Sequence, residues 1–114
     1  MPDQRTQPSR ILVVEDEGIV ATDIEKCLED AGFEVTAIAA SADDAMREAS
    51  RVRPDLVLMD VRIQGPLDGI EAGRQLHQRF GLPIIYLTAH GDRDTIERAK
   101  TTEPGFSAQA IQTD

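Results

Sequence analysis

Short apolar runs alternate along the chain with segments whose apolar residues recur at helical spacing. Four runs predict strands, at residues 11–14, 33–39, 56–59 and 83–88. The first and third are wholly apolar, which is typical of strands buried on both faces, whereas the second alternates with polar residues. Helical spacing predicts four helices, over 18–31, 41–53, 68–80 and about 92–102, and residues 105–111 could form a short fifth strand.

Helix-capping residues stand where these boundaries require them. Ser41 and Asp68 are good N-caps for the second and third helices. Gly32 and Gly81 follow the first and third helices, where a left-handed residue is expected. Cys27 lies on the inner stripe of the first helix, so we expect it in the core.

The order of these elements predicts the fold class. Strands that alternate with helices through short loops imply right-handed crossovers and a parallel, doubly wound α/β sheet. We expect one domain over residues 10–114, preceded by a disordered polar tail at 1–9. Because little sequence follows the fifth strand, this domain is expected to lack a last helix.

Composition narrows the range of partners. The net charge of −9 makes nucleic acid and membrane surfaces unfavourable, because both are anionic. No apolar run approaches the ~18 residues of a membrane span. Cys27 is the single cysteine, so an internal disulfide is impossible and the cytoplasm is the expected location.

The residues that follow the strands carry the candidate chemistry. Glu15 and Asp16 follow the first strand, Asp60 the third, and Thr88 ends the fourth. In parallel α/β sheets, sites form at the carboxyl ends of the strands, near the point where strand order reverses. Carboxylates gathered there repel one another unless a cation joins them, and oxygen ligands favour Mg²⁺. A carboxylate beside Mg²⁺ can also attack phosphorus, and Thr88 could then donate to a phosphoryl oxygen.

Each of these residues also has a purely structural interpretation. Asp16 could cap the first helix, Asp60 could belong to a loop, and threonine is common in strands. The signal comes from the joint placement of all four residues at strand ends.

Three segments resemble the leading signatures of response-regulator receiver domains, and the resemblance extends over residues 10–109. They are residues 11–17, 56–60 and 86–89. The resemblance implies a flavodoxin-like sheet in the order 2-1-3-4-5. It also implies phosphorylation by a phosphohistidine on a sensor histidine kinase or phosphotransfer protein.

The resemblance further implies roles for individual residues. Asp60 would be the phosphoacceptor and Asp16 a direct Mg²⁺ ligand. Glu15 would act through a metal-bound water, and the backbone carbonyl of Arg62 would be another ligand. Thr88 would supply the switch hydroxyl.

The C-terminal part departs from the family pattern. Aligning Gly105 and Phe106 with the family's glycine-aromatic pair puts Gln109 where the family has a lysine at the end of strand five. The missing fifth helix would leave one sheet face open, so we expect a homodimer that covers this face.

Several functions remain in competition. The leading interpretation is a phosphorylated signalling module that is not a turnover enzyme. An alternative is a receiver-like binding module that no longer switches, because Gln109 replaces the lysine. A phosphatase or mutase would usually need an acid two positions after Asp60, where Arg62 stands, and no glycine-rich phosphate loop supports a nucleotide-binding enzyme.

Overall fold

Strands and helices alternate in the computed structural model, which describes residues 8–63, 68–88 and 108–112. The strands are β1 (Arg10–Val14), β2 (Glu34–Ala39), β3 (Leu56–Asp60), β4 (Ile84–Thr88) and β5 (Ala108–Gln112). The helices are α1 (Gly18–Asp30), α2 (Ala42–Arg51) and α3 (Gly69–Phe80). The predicted helix at 92–102, the N-terminal tail up to residue 7 and the segment after β5 lie outside the described residues.

The five strands form one parallel sheet in the order β2-β1-β3-β4-β5. This order confirms the predicted flavodoxin-like topology. The chain leaves β1 toward β2 on one side and returns to β3 on the other. The strand order therefore reverses between β1 and β3, which is where sites form in such sheets.

The register of β5 corrects the alignment at the C-terminal end. Gln109 pairs with Ile85 in the first half of the strand, and Gln112 pairs with Thr88 at its carboxyl end. The prediction that Gln109 stands at the end of strand five is therefore wrong by three residues. Backbone pairing with β4 sets this register, and a glycine-aromatic pair in the sequence does not determine it.

The main core lies between the sheet and helices α2 and α3. Its largest fully buried side chains on this face include Leu12, Val14, Met59, Leu76 and Tyr86. The opposite face, which α1 covers, has a much smaller cluster of three buried residues, Ile11, Val13 and Leu58. The two sheet faces are thus covered very unequally within the described residues.

Helix α1 lies largely at the surface. Ala21 is its single buried residue, while Ile24 and Leu28 are half-buried against the small cluster. Cys27 is exposed, so the prediction that it belongs to the core is wrong. Helical spacing identified the side of α1 that meets the sheet, but the small cluster there does not extend far enough to enclose Cys27.

The predicted caps are confirmed. The Ser41 hydroxyl accepts a hydrogen bond from the Asp44 amide at 3.2 Å, and the Asp68 carboxylate accepts one from the Glu71 amide at 2.9 Å. Gly32 and Gly81 have φ angles of 97° and 69°, the left-handed region that glycine enters without strain.

Two glycines allow α3 to pack directly on the sheet. A Cβ atom on Gly69 would collide with the backbone carbonyl oxygen of Asp60, and one on Gly73 would collide with the Tyr86 hydroxyl. These residues are four apart and therefore lie on the same side of the helix. Their lack of side chains brings α3 close to the end of β3 and to β4.

We expect Gly73→Ala to destabilise the fold by about 1–3 kcal/mol, because the added methyl group overpacks against the buried Tyr86 ring. In an open helix the same change would stabilise by about 1 kcal/mol. Urea unfolding measures the difference. Gly18→Ala is the control, since its Cβ would meet no atom within 4 Å. A stability gain in both variants would contradict the close packing of α3.

Candidate metal centre

Three carboxylates meet where β1 and β3 end. The two strands pair up to Val14 on β1 and Met59 on β3. The next residues along the chain, Glu15 and Asp60, are therefore neighbours. Glu15, Asp16 and Asp60 each place a carboxylate oxygen within 4.8 Å of the others. Glu15 is buried, with 5% of its surface exposed, and the two aspartates are half-buried.

Backbone hydrogen bonds fix these side chains in place. The Glu15 amide donates to the Ala39 carbonyl at 2.9 Å, which ties the end of β1 to β2. The Glu17 amide donates to Glu15 Oε2 at 3.2 Å, and the Arg62 amide donates to Asp60 Oδ1 at 3.0 Å. Two of the three carboxylates are therefore oriented by the loops that leave their strands.

The charge of Glu15 is poorly compensated by the protein. Burial raises the pKa of Glu15 to about 7, and the adjacent Asp60 carboxylate adds to this effect. Asp16 raises this pKa further, while the hydrogen bond from the Glu17 amide lowers it. Like charges at close range favour a shared proton or a bound cation.

The donor set fits a divalent cation of the Mg²⁺ type. All three side chains offer oxygen atoms, which are the ligands of hard cations, and none offers nitrogen or sulfur. A cation would also remove the repulsion that raises the pKa of Glu15. Glu15, Asp16 and Asp60 are the residues that would hold it.

The structure describes the other two predicted site residues, Arg62 and Thr88, only in part. Arg62 contributes its amide to Asp60, and the role predicted for its carbonyl stays a prediction. Thr88 ends β4 and directly follows Leu87, which pairs with Asp60. The side chain of Thr88 lies outside the described part of the structure. The interpretation of Asp16 as a helix cap is wrong, because Glu17 is the N-cap of α1.

Sequence reasoning missed the residues that hold α3 against this site. The strand pattern and the family resemblance place Tyr86 and Gly69 without indicating that they contact each other's elements, and Gly73 carries no prediction. The available signal was the pair of glycines four apart within one helix, a spacing that indicates close approach of another backbone or side chain.

Comparison with known proteins identifies the family. The profile of the family described as "Response regulator receiver domain" matches residues 11–104. The chain is 37% identical over 93 residues to the transcriptional regulatory protein PdtaR of Mycobacterium tuberculosis, covering 82% of this chain and 45% of PdtaR. It is 34% identical over 99 residues to the phyllosphere-induced regulator PhyR of Methylorubrum extorquens, covering 86% of this chain and 36% of PhyR.

Solved structures agree with this family. The signal receiver domain of a modulated diguanylate cyclase from Desulfovibrio desulfuricans G20 superimposes with a TM-score of 0.81 at 32% identity. The match covers 94% of this chain and 82% of that one. The PhyR stress response regulator gives a TM-score of 0.71 at 29% identity, covering 96% of this chain and 40% of that one.

The chain therefore belongs to the response regulator receiver domain family of two-component systems. Receiver domains are signalling modules rather than turnover enzymes. They bind Mg²⁺ in an acidic pocket and interact with histidine kinases or phosphotransfer proteins. The chain spans less than half the length of the two curated relatives compared above.

Among the described residues, no helix is both long and apolar enough to cross a membrane.

The raised pKa of Glu15 predicts a pH-dependent stability in the absence of metal. Glu15 binds its proton more tightly in the folded state than in the unfolded state, where its pKa has the ordinary value of 4.5. Its favourable contribution to the free energy of unfolding is therefore complete below pH 4.5 and is lost as the pH rises through about 7. Without metal, we therefore expect the free energy of unfolding to fall over this range. Glu15→Gln should remove much of the fall, because glutamine carries no charge.

Urea unfolding in EDTA, at pH values from 4.5 to above 7, tests this expectation. Glu17→Gln is the matched control, because it removes an exposed carboxylate two residues away. Adding Mg²⁺ at the higher pH should restore stability to the wild type. A Glu15→Gln profile with the same slope as the wild type would contradict the assignment.

Proposed function

We propose that Asp60 accepts a phosphoryl group from a phosphohistidine on a sensor kinase or phosphotransfer protein, with Mg²⁺ held by Glu15, Asp16 and Asp60. The observation that supports this most is the convergence of three carboxylates at the reversal of strand order. Asp60 ends β3 and is half-buried, so a donor can approach it from the carboxyl ends of the strands.

The chemistry of this transfer is a displacement at phosphorus. An Asp60 carboxylate oxygen forms the new P–O bond while the P–N bond to the donor imidazole breaks, and the imidazole leaves with its electron pair. The Arg62 amide holds Oδ1 of Asp60 and thereby orients the carboxylate. Mg²⁺, when bound, neutralises the charge that the carboxylates and the phosphoryl oxygens bring together. Thr88 would then donate a hydrogen bond from its hydroxyl to a phosphoryl oxygen, which links phosphorylation to β4.

The exposed start of α1 fits a protein donor. Ile19 is 82% exposed and follows Asp16 by three residues. Together with Gly18, Thr22 and Asp23, it forms an exposed surface at the start of α1. Burial of an exposed apolar side chain against a partner is favourable, so Ile19 can supply a contact for a transient donor. We therefore propose that the donor contacts this turn when it delivers the phosphoryl group.

A receiver-like module that binds without switching is the second candidate. The observation that favours it is the composition of β5, since residues 108–112 contain neither lysine nor arginine. Gln112, rather than Gln109, pairs with Thr88 at the carboxyl end of this strand. A module of this kind would still bind Mg²⁺ but would take up little or no phosphoryl group. The single receiver domain over residues 10–114 and its cytoplasmic location likewise remain proposals.

Phosphorylation at Asp60 is the central test. Incubation with acetyl phosphate and Mg²⁺ should add one phosphoryl group to the intact mass of the protein. Asp60→Asn should abolish the addition, because the amide is a far weaker nucleophile than the carboxylate. EDTA should also abolish it in the wild type. Asp30→Asn, which removes an exposed carboxylate at the far end of α1, is the control and should react like the wild type.

The outcomes of this experiment separate the two candidates. An unmodified wild-type protein that nevertheless binds Mg²⁺ would favour the non-switching module. Equal modification of the wild type and Asp60→Asn would contradict Asp60 as the phosphoacceptor.

We further propose that the α1 face pairs with a second copy of the chain. The support is the small cluster on this face, together with Val20 on α1, which is 38% exposed. We expect sedimentation equilibrium at micromolar concentration to show a dimer. Val20→Glu should shift it toward monomer, because a charge cannot be buried there unpaired. Ser50→Glu, at an exposed position of α2, is the control, and a strictly monomeric, folded wild type would contradict the dimer.

A further inference from the structure

A buried phenol connects β4 to the first turn of α3. Tyr86 is fully buried, at 0% exposure, in the middle of the main core. Its hydroxyl donates a hydrogen bond of 3.1 Å to the carbonyl oxygen of Ile70. Burial raises the pKa of Tyr86, so the phenol stays protonated and remains a donor. A phenylalanine would fill nearly the same volume without a polar atom to satisfy, so the hydroxyl adds a directed link.

The same turn of α3 is attached to the chain that leaves Asp60. The Gly69 amide donates to the Val61 carbonyl at 3.0 Å. Gly69 also packs so closely on the Asp60 carbonyl that any side chain would collide with it. Ile70, which accepts from Tyr86, is the next residue. One helical turn therefore contacts both the end of β3 and the strand that ends in Thr88.

We infer that Tyr86 is a positioning residue for the phosphoacceptor site: its hydroxyl holds the first turn of α3, and through Gly69 the Asp60–Val61 backbone, at a fixed distance from β4. The inference rests on the proposed function of Asp60. Tyr86 touches neither the carboxylates nor a substrate, so its effect on the reaction is indirect. It acts by limiting the motion of the backbone that carries Asp60 relative to Thr88.

A purely structural role is the competing explanation, and a matched pair of variants separates the two. Tyr86→Phe removes the hydroxyl and keeps the ring. Ile84→Val removes one methylene from the same strand and the same core, two residues nearer the amino end of β4. Both changes are expected to lower global stability slightly and by similar amounts. Only Tyr86→Phe breaks the link to α3.

Two measurements on the full chain follow. Amide hydrogen exchange by NMR should be about two- to tenfold faster at Gly69 in Tyr86→Phe than in Ile84→Val, as expected for the loss of one neutral hydrogen bond. The initial rate of Asp60 phosphorylation by acetyl phosphate with Mg²⁺ should fall by a similar factor in Tyr86→Phe and stay at the wild-type value in Ile84→Val.

Each outcome bears on the inference. Equal exchange at Gly69 in the two variants overturns the link. Faster exchange with an unchanged phosphorylation rate overturns the positioning role and leaves a structural hydrogen bond. A wild type that is not phosphorylated at all overturns the function proposed for Asp60, and the exchange measurement then decides separately whether Tyr86 holds α3.

Discussion

The parallel pairing of β1 with β3 is the constraint on which the site depends. It places Glu15 and Asp16 beside Asp60, although 43 residues or more separate them in the chain. This arrangement is electrostatically unfavourable alone, as the raised pKa of Glu15 reflects. The core offsets that cost, because the strands below the site are buried, and a divalent cation would relieve it directly. A fold stabilised elsewhere can thus maintain a site that favours a divalent cation.

The two faces of the sheet have different physical roles. The face under α2 and α3 carries the large apolar cluster and supplies most of the apolar burial among the described residues. The face under α1 carries a small cluster and leaves apolar side chains of the helix at the surface. The main core therefore lies on the side of the sheet away from α1. Substitutions at exposed positions of α1 are expected to have little effect on that core.

Helix α3 connects that core to the site. Its glycines bring it against the Asp60 carbonyl and the Tyr86 hydroxyl, so the packing of one helix also sets the backbone position of the residue after β3. Such contacts involve partners from distant segments. A sequence pattern shows that Gly69 and Gly73 share a helix side, but it does not show that Tyr86 is the residue they meet.

The sequence by itself determined the strands β1–β4, the helices α1–α3 and the residues at the strand ends. Apolar periodicity, the caps at Ser41 and Asp68, and the residues after each strand are local signals, and the family resemblance added the topology. Tertiary structure alone decided the register of β5, which moved Gln109 away from the strand end, and the exposure of Cys27. Register and burial depend on which segments pack together and how completely they cover one another. No local pattern encodes those quantities, because they are properties of pairs of distant surfaces.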